Sequence, residues 1–127
     1  MAAALEKFCR FCGTALTEKY LEGEGMVPYC ETCRDFRFPV YSTAVSMIVR
    51  DESGRILLIK QYGRDSYILV AGYVNRGEDA EDAVVREISE EVGLSVKSLS
   101  FNHSRYFEKS NTLMLNFTAW VEGTYVR

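Results

Sequence analysis

The chain has 127 residues, 47% of them hydrophobic and 26% charged, and a formal net charge of −3 at neutral pH. That is enough for one domain, or a small domain with an appendage, at the composition of an ordinary soluble globular protein. The acidic balance argues against nucleic acid as the main ligand. No apolar run approaches the roughly 18 residues of a membrane-spanning helix. The N-terminus, MAAALEKFCRFCG, has a short apolar stretch followed by its charges, so it is not a signal peptide and a cytoplasmic location is expected.

Cys9, Cys12, Cys30 and Cys33 are the chain's four cysteines, spaced C-x2-C-x17-C-x2-C. Each C-x2-C pair can present two sulfurs from one tight turn, and two such turns complete a tetrahedron around Zn²⁺. Two disulfides are the alternative, disfavoured in a chain without a signal peptide. A redox dithiol is weaker still, since nothing around either pair resembles an oxidoreductase unit. Four protein thiolates leave no open position, so this zinc is expected to be structural. The stretch from Cys9 to Cys33, about 25 residues, cannot bury a core, and metal must supply much of its folding energy. Gly13, directly after Cys12, suits the backbone of a metal-binding turn. Arg34 stands at the matching place after Cys33, so the second turn is expected to be less regular.

Asp35 to Tyr41, DFRFPVY, reads as a linker punctuated by Pro39, with Phe36 and Phe38 expected to pack the cysteine segment on the next domain. From Ser42 the pattern becomes β. Thr43 to Arg50 alternates, with Val45, Met47 and Val49 on one face and Ala44, Ser46 and Ile48 on the other. Asp51 to Gly54 is a hairpin turn, Arg55 to Gln61 the return strand and Tyr62 to Ser66 a loop. Tyr67 to Val70 is a short strand running into a loop from Gly72 to Gly77.

Gly72 to Leu94, GYVNRGEDAEDAVVREISEEVGL, organises the rest of the chain. Helical periodicity runs from about Asp79 to Val92, and Gly93 stops it. At about 100° per residue, Ala83, Glu87, Ala80, Glu91, Val84 and Ile88 share one arc, and Glu90 borders Ala83. Three carboxylates thus lie beside the apolar stripe. Glu87–Glu91 and Glu87–Glu90 are like-charge pairs at helical spacing, each costing a few tenths of a kcal/mol. They also occupy the last turns, where the helix dipole disfavours anions. A compensating cation is implied, and oxygen donors suit a hard divalent ion such as Mg²⁺ or Mn²⁺. A solvated acidic face is the plainer reading of charge pattern alone. Glu78, Asp79, Glu81 and Asp82 simply suit a helix N-terminus.

Two more strands are expected, about Val96 to Phe107 and Thr112 to Glu122. His103 reads as a surface or packing residue of the first. Tyr62, Tyr67, Tyr73, Tyr106 and Phe107 are candidates to stack on a nucleobase or nicotinamide, although most aromatics are core residues. Met114 and Phe117 read as core.

The spacing G-x5-E-x7-R-E-I-x-E-E-x-G-L in Gly72 to Leu94 matches the Nudix box at every specified position, so the chain resembles a Nudix hydrolase. The resemblance implies an α/β Nudix fold, a mixed-sheet sandwich with a loop–helix–loop box, here preceded by a small four-cysteine zinc ribbon. The expected division is 1–38 for ribbon and linker and 39–127 for the Nudix domain. It implies hydrolysis of nucleoside diphosphates linked to another moiety, with Glu87, Glu90 and Glu91 on the metals, one of them a candidate base, and the Gly72 carbonyl as a further ligand. Glu78 and Arg86 are expected to form an ion pair bracing the loop on the helix.

A zinc ribbon directly before a Nudix domain resembles the NADH pyrophosphatase family, which converts NAD(H) to AMP and nicotinamide mononucleotide. Those enzymes carry SQPWPFPxSLM after the box. This chain has Ser104-Arg105-Tyr106-Phe107-Glu108-Lys109-Ser110-Asn111-Thr112-Leu113-Met114, which keeps the ends and the length but not the prolines or the tryptophan. ADP-ribose, FAD and nucleoside triphosphates therefore stand beside NAD(H) as expected substrates. A nucleotide-sensing module without catalysis is the reading from another class. The stretch after the linker is short for the fold, so a C-terminally truncated domain is expected, and the resemblance leaves a homodimer open.

Overall fold

The computed structural model describes residues 6–60 and 67–123. The chain divides into two compact units, Met1–Tyr41 and Ser42–Arg127.

In the first unit, β1 (Thr17–Leu21), β2 (Gly25–Cys30) and β3 (Asp35–Phe36) form an antiparallel sheet in the order β1-β2-β3. The stretch read as linker from Asp35 thus begins as a strand. Phe36 packs edge-on against Tyr29 with ring centroids 5.1 Å apart, inside this unit. Among the described residues the buried side chains are few: Cys9, Val27, Pro28, Tyr29, Cys30 and Arg37. Apolar burial at about 25 cal/mol per Å² over so few residues cannot hold a fold of this size.

In the second unit, β4 (Ser42–Arg50) is the central strand. It pairs in parallel with β10 (Thr112–Val121), which pairs antiparallel with β9 (Val96–Phe107). Along the other side of β4, β5 (Ile56–Leu57) takes Val49 and Arg50, and β8 (Val70–Tyr73) takes Ala44 to Met47. A separate antiparallel pair joins β6 (Ile59–Lys60) to β7 (Tyr67–Ile68). The expected return strand is therefore broken at Leu58, because β8 already occupies the rest of the β4 edge. Its last residue, Gln61, lies outside the described residues. Gly72 is likewise not in a loop: it is a residue of β8, paired opposite Val45.

The helix α1 (Ala80–Val92) comes next, with Asp79 at its N-cap and Gly93 at its C-cap, where the Gly93 N–H donates to the Ser89 carbonyl at 3.0 Å. Its buried residues are Ala83, Val84, Glu87 and Ile88. Ala83, Val84 and Ile88 pack with Val45, Met47 and Val49 of β4 and with Phe117, Ala119 and Val121 of β10. Alternation makes this the α1 face of the sheet and puts Ala44, Thr112 and Met114 on the opposite face. Asp51, almost fully buried, closes the β4–β5 turn by accepting from the N–H groups of Ser53 and Arg55. No helix among the described residues is long and apolar enough to cross a membrane.

Candidate functional site

Two constellations carry chemistry, one in each unit. In the first, the four cysteines are free and their sulfurs all lie within 4.8 Å of one another. The Cys9–Cys33 and Cys12–Cys30 sulfur separations are 4.0 and 3.5 Å. A tetrahedron with Zn–S bonds of about 2.3 Å has edges of about 3.8 Å, between these two separations, so the cluster fits a zinc ion.

The two turns are built alike. Gly13 N–H donates to the Cys9 carbonyl and Arg34 N–H to the Cys30 carbonyl, both at 2.8 Å. Gly13 has φ 80° and Arg34 φ 56°. The second turn is therefore as regular as the first, and Arg34 adopts the left-handed conformation that glycine takes more easily. Arg37, buried behind Cys9, donates its Nε–H to the Cys9 sulfur at 3.4 Å. This holds the Cys9 thiol down at about 5. Hydrogen bonding to Cys12, with burial, pushes Cys33 up to about 12. Four sulfurs this close cannot all ionise alone, and a bound divalent cation would resolve that conflict.

In the second unit the site forms where β8 meets α1. Arg86 is its hub. Its Nε and Nη2 take the two Glu78 oxygens at 2.8 and 2.9 Å, a bidentate pair. Nη2 also donates to the Tyr73 carbonyl at 3.0 Å. The Arg86 contact, together with the Asn75 N–H, holds the Glu78 carboxyl down at about 2. Arg86 thus ties the helix to the β8–α1 connection. Its Nη1 donates to Glu87 Oε1 at 2.8 Å and to Glu90 Oε2 at 3.3 Å. One nitrogen already bridges these two carboxylates, so both reach a common positive centre.

Glu87 is the buried member of the acidic trio, and Gly72 gives it room. A β-carbon at Gly72 would lie 2.2 Å from the Glu87 carboxyl carbon and 2.3 Å from its Oε1. Only glycine leaves space for that carboxylate against the backbone. Among the described residues, the three glutamates do not form a convergent cluster of ligand atoms as the cysteines do. Arg86 draws Glu87 and Glu90 to itself, while Glu91 lines a cavity.

That cavity measures about 730 Å³, within the roughly 300–1,000 Å³ of small-molecule sites. Gly72, Tyr73 and Glu91 line it beside the helix, and Phe107, Ser110, Thr112 and Met114 bring in the β9–β10 hairpin. Ala44, Ala71, Ile59 and Ile68 complete an apolar lining. Of the aromatic candidates, Tyr73 and Phe107 reach the cavity. Tyr106 does not: paired with Leu113, it lies on the α1 face of β9. Tyr62 and the Tyr67 side chain lie outside the described residues. Met114 belongs to the cavity and not to the core. His103 pairs opposite Asn116 and is exposed, away from the cavity lining.

The NUDIX domain model matches residues 40–126. The chain belongs to the NUDIX family. It is 34% identical to the NAD-capped RNA hydrolase NudC of Chromobacterium violaceum over 99% of its own length and 49% of that protein. It is 36% identical to the protein of the same name from Pseudomonas aeruginosa, over 92% of this chain and 43% of that one. This NUDIX chain thus spans about half the length of the curated relatives it matches. Among solved structures, a NUDIX hydrolase from Nitrosomonas europaea aligns over 94% of this chain and 69% of its own, with a TM-score of 0.60 at 22% identity. A MutT/nudix family protein from Enterococcus faecalis aligns over 72% of this chain and 41% of its own, with a TM-score of 0.61 at 25% identity. Fold and family agree: a NUDIX domain, with four clustered cysteines that fit a zinc ribbon in the preceding unit.

Proposed function

We propose that this NUDIX chain hydrolyses the diphosphate bond of a nucleoside diphosphate derivative with the help of a divalent metal, and that NAD(H), cleaved to AMP and nicotinamide mononucleotide, is its leading substrate. The observation that carries this reading is the cavity itself. It joins Glu91 and Gly72 at the helix to the aromatic and apolar wall of Tyr73, Phe107 and Met114. A diphosphate at the glutamates and a planar ring between those side chains fit one continuous space.

Glu87, Glu90 and Glu91, with the Gly72 carbonyl, would hold Mg²⁺ or Mn²⁺. The hard oxygen donors, the space left by Gly72 and the bridging of Glu87 and Glu90 by one guanidinium nitrogen all fit a cation there. When bound, such an ion neutralises the diphosphate and acidifies the attacking water. The chain's own contribution is orientation. Arg86 holds Glu87 against β8, the Glu78–Arg86 pair fixes the β8–α1 connection, and the apolar lining keeps bulk water from the ring. The relatives' name supports NAD as the recognised group, free or as the cap of an RNA. ADP-ribose, FAD and nucleoside triphosphates are the rival substrates, since the prolines and tryptophan of the NADH mark are missing between Tyr106 and Asn111. The four cysteines would hold a structural zinc.

Incubation with each of these compounds and with NAD-capped RNA, with Mg²⁺ or Mn²⁺ and chromatography of the products, tests the proposal. AMP plus nicotinamide mononucleotide, formed fastest from NAD(H) or capped RNA, is expected. No product from any of them overturns the hydrolase reading. Glu91→Gln is expected to abolish turnover while fold and zinc content persist; full activity in that variant would refute the site assignment.

A further inference from the structure

One wall of the cavity hangs on a single turn. Phe107 ends β9, Thr112 begins β10, and both line the cavity together with Ser110. The connecting residues, Glu108-Lys109-Ser110-Asn111, contain neither proline nor glycine. Asn111 takes a left-handed backbone with φ 51°, which a side chain resists. Its N–H donates to the Glu108 carbonyl at 3.2 Å, and its carbonyl accepts from Ser42 N–H at 3.1 Å, tying the turn to the start of β4. The Tyr106 hydroxyl donates to Asn111 Oδ1. Tyr106 lies on the face of β9 away from the cavity, so its ring touches none of the substrate space. Its hydroxyl nonetheless grips the one left-handed residue of the turn.

We propose that Tyr106 is a positioning residue for substrate. By locking Asn111 it sets where Phe107 and Ser110 stand on the cavity wall, and through them the affinity for the ring-bearing half of the substrate. This rests on the reading of the cavity as the substrate site. The glutamates lie on α1 and not on the hairpin, so the lock acts on KM and leaves the chemical step alone.

The test compares Tyr106→Phe, which loses the hydroxyl, and Asn111→Gly, which keeps the left-handed backbone but loses the acceptor, with Asn111→Asp, which keeps both. NADH hydrolysis at saturating Mn²⁺ is measured beside amide exchange over residues 107–112. The loss of one hydrogen bond is expected to raise KM roughly three- to tenfold in the first two variants, with kcat within about twofold and faster exchange in the turn. Asn111→Asp should stay near the parent. Unchanged KM in Tyr106→Phe overturns the proposal, whether or not exchange quickens. If the parent chain does not cleave NADH, the NAD(H) assignment fails, and exchange decides the lock: faster in Tyr106→Phe supports it, unchanged overturns it.

Discussion

Replacing Gly72 by alanine adds one methyl group and probes the whole construction of the acidic site. The added β-carbon would lie 2.2 Å from the Glu87 carboxyl carbon, where ordinary contact begins near 3.4 Å. The carboxylate must retreat by about 1.2 Å, the shortfall between those distances. Glu87 is a buried helix residue held by Arg86, so this movement breaks the 2.8 Å contact. Overpacking of this kind costs about 1–3 kcal/mol, which lowers Tm by roughly 4–8 °C per kcal/mol in a small domain. Displacing a catalytic group by about 1 Å costs on the order of 100-fold in rate. Gly72→Ala should therefore lose about two orders of magnitude in kcat and melt several degrees early. Pairing it with Glu87→Asp withdraws the carboxylate by one carbon–carbon bond, about 1.5 Å. That double variant should regain much of the melting temperature but little of the rate, because the shortened side chain no longer reaches its place. Calorimetry and steady-state kinetics read both effects. A Gly72→Ala variant with parental rate and Tm would mean that Glu87 does not rest on this backbone.

The Glu78 carboxyl is held at about 2, below its ordinary 4.5, chiefly by Arg86. A depressed acid stabilises the fold above its unfolded value and loses that contribution as pH falls toward the folded value. Glu78→Gln should thus melt below the parent at neutral pH, with the gap narrowing from about pH 4.5 down to about 2; a pH-independent gap would contradict this. Arg34→Gly should stabilise the cysteine unit by about 0.5–1 kcal/mol, the roughly 1–2 kcal/mol of left-handed strain less the entropy glycine adds to the unfolded chain. A lower midpoint in chelator titration would refute it. One zinc per chain is expected, with four sulfurs at about 2.3 Å by X-ray absorption. A strong chelator should expose the segment around Cys9 to Cys33 to protease, and unchanged cleavage would sink the structural-zinc reading.

What could be read from the chain was local. The helix from about Asp79 to Val92 is a matter of period, and α1 falls within a residue of it. The alternation of Thr43 to Arg50 chose Val45, Met47 and Val49 as one face, and all three are buried against α1; Ala44 of the other face is buried as well. The cysteine spacing brings the sulfurs together because each pair needs only one turn. The cavity is another kind of object. It is assembled from β4, β8 and the β9–β10 hairpin, whose pairing no short window encodes. Met114 alternates as a core residue would, and it faces the cavity only because β10 runs parallel to β4 with Leu115 opposite Val45.

Gly72 and Tyr106 show how far that difference reaches. Gly72 belongs to the box motif, and motif reading places it in a loop. Its partner in the sheet is Val45, so it is a strand residue, and its lack of a β-carbon serves the Glu87 carboxylate and not a turn. Tyr106 reads as a ring available for stacking, but strand register turns the ring away and leaves only the hydroxyl at work, on Asn111. In both residues the type is legible and the role is not, because the role is set by which face of the sheet the side chain takes. On the proposed function the box motif would mark the reacting end of this site, and the pairing of distant strands would form the end that chooses the substrate. Variation in the turn after Phe107 should accordingly change which nucleotide is taken while the glutamates on α1 stay as they are.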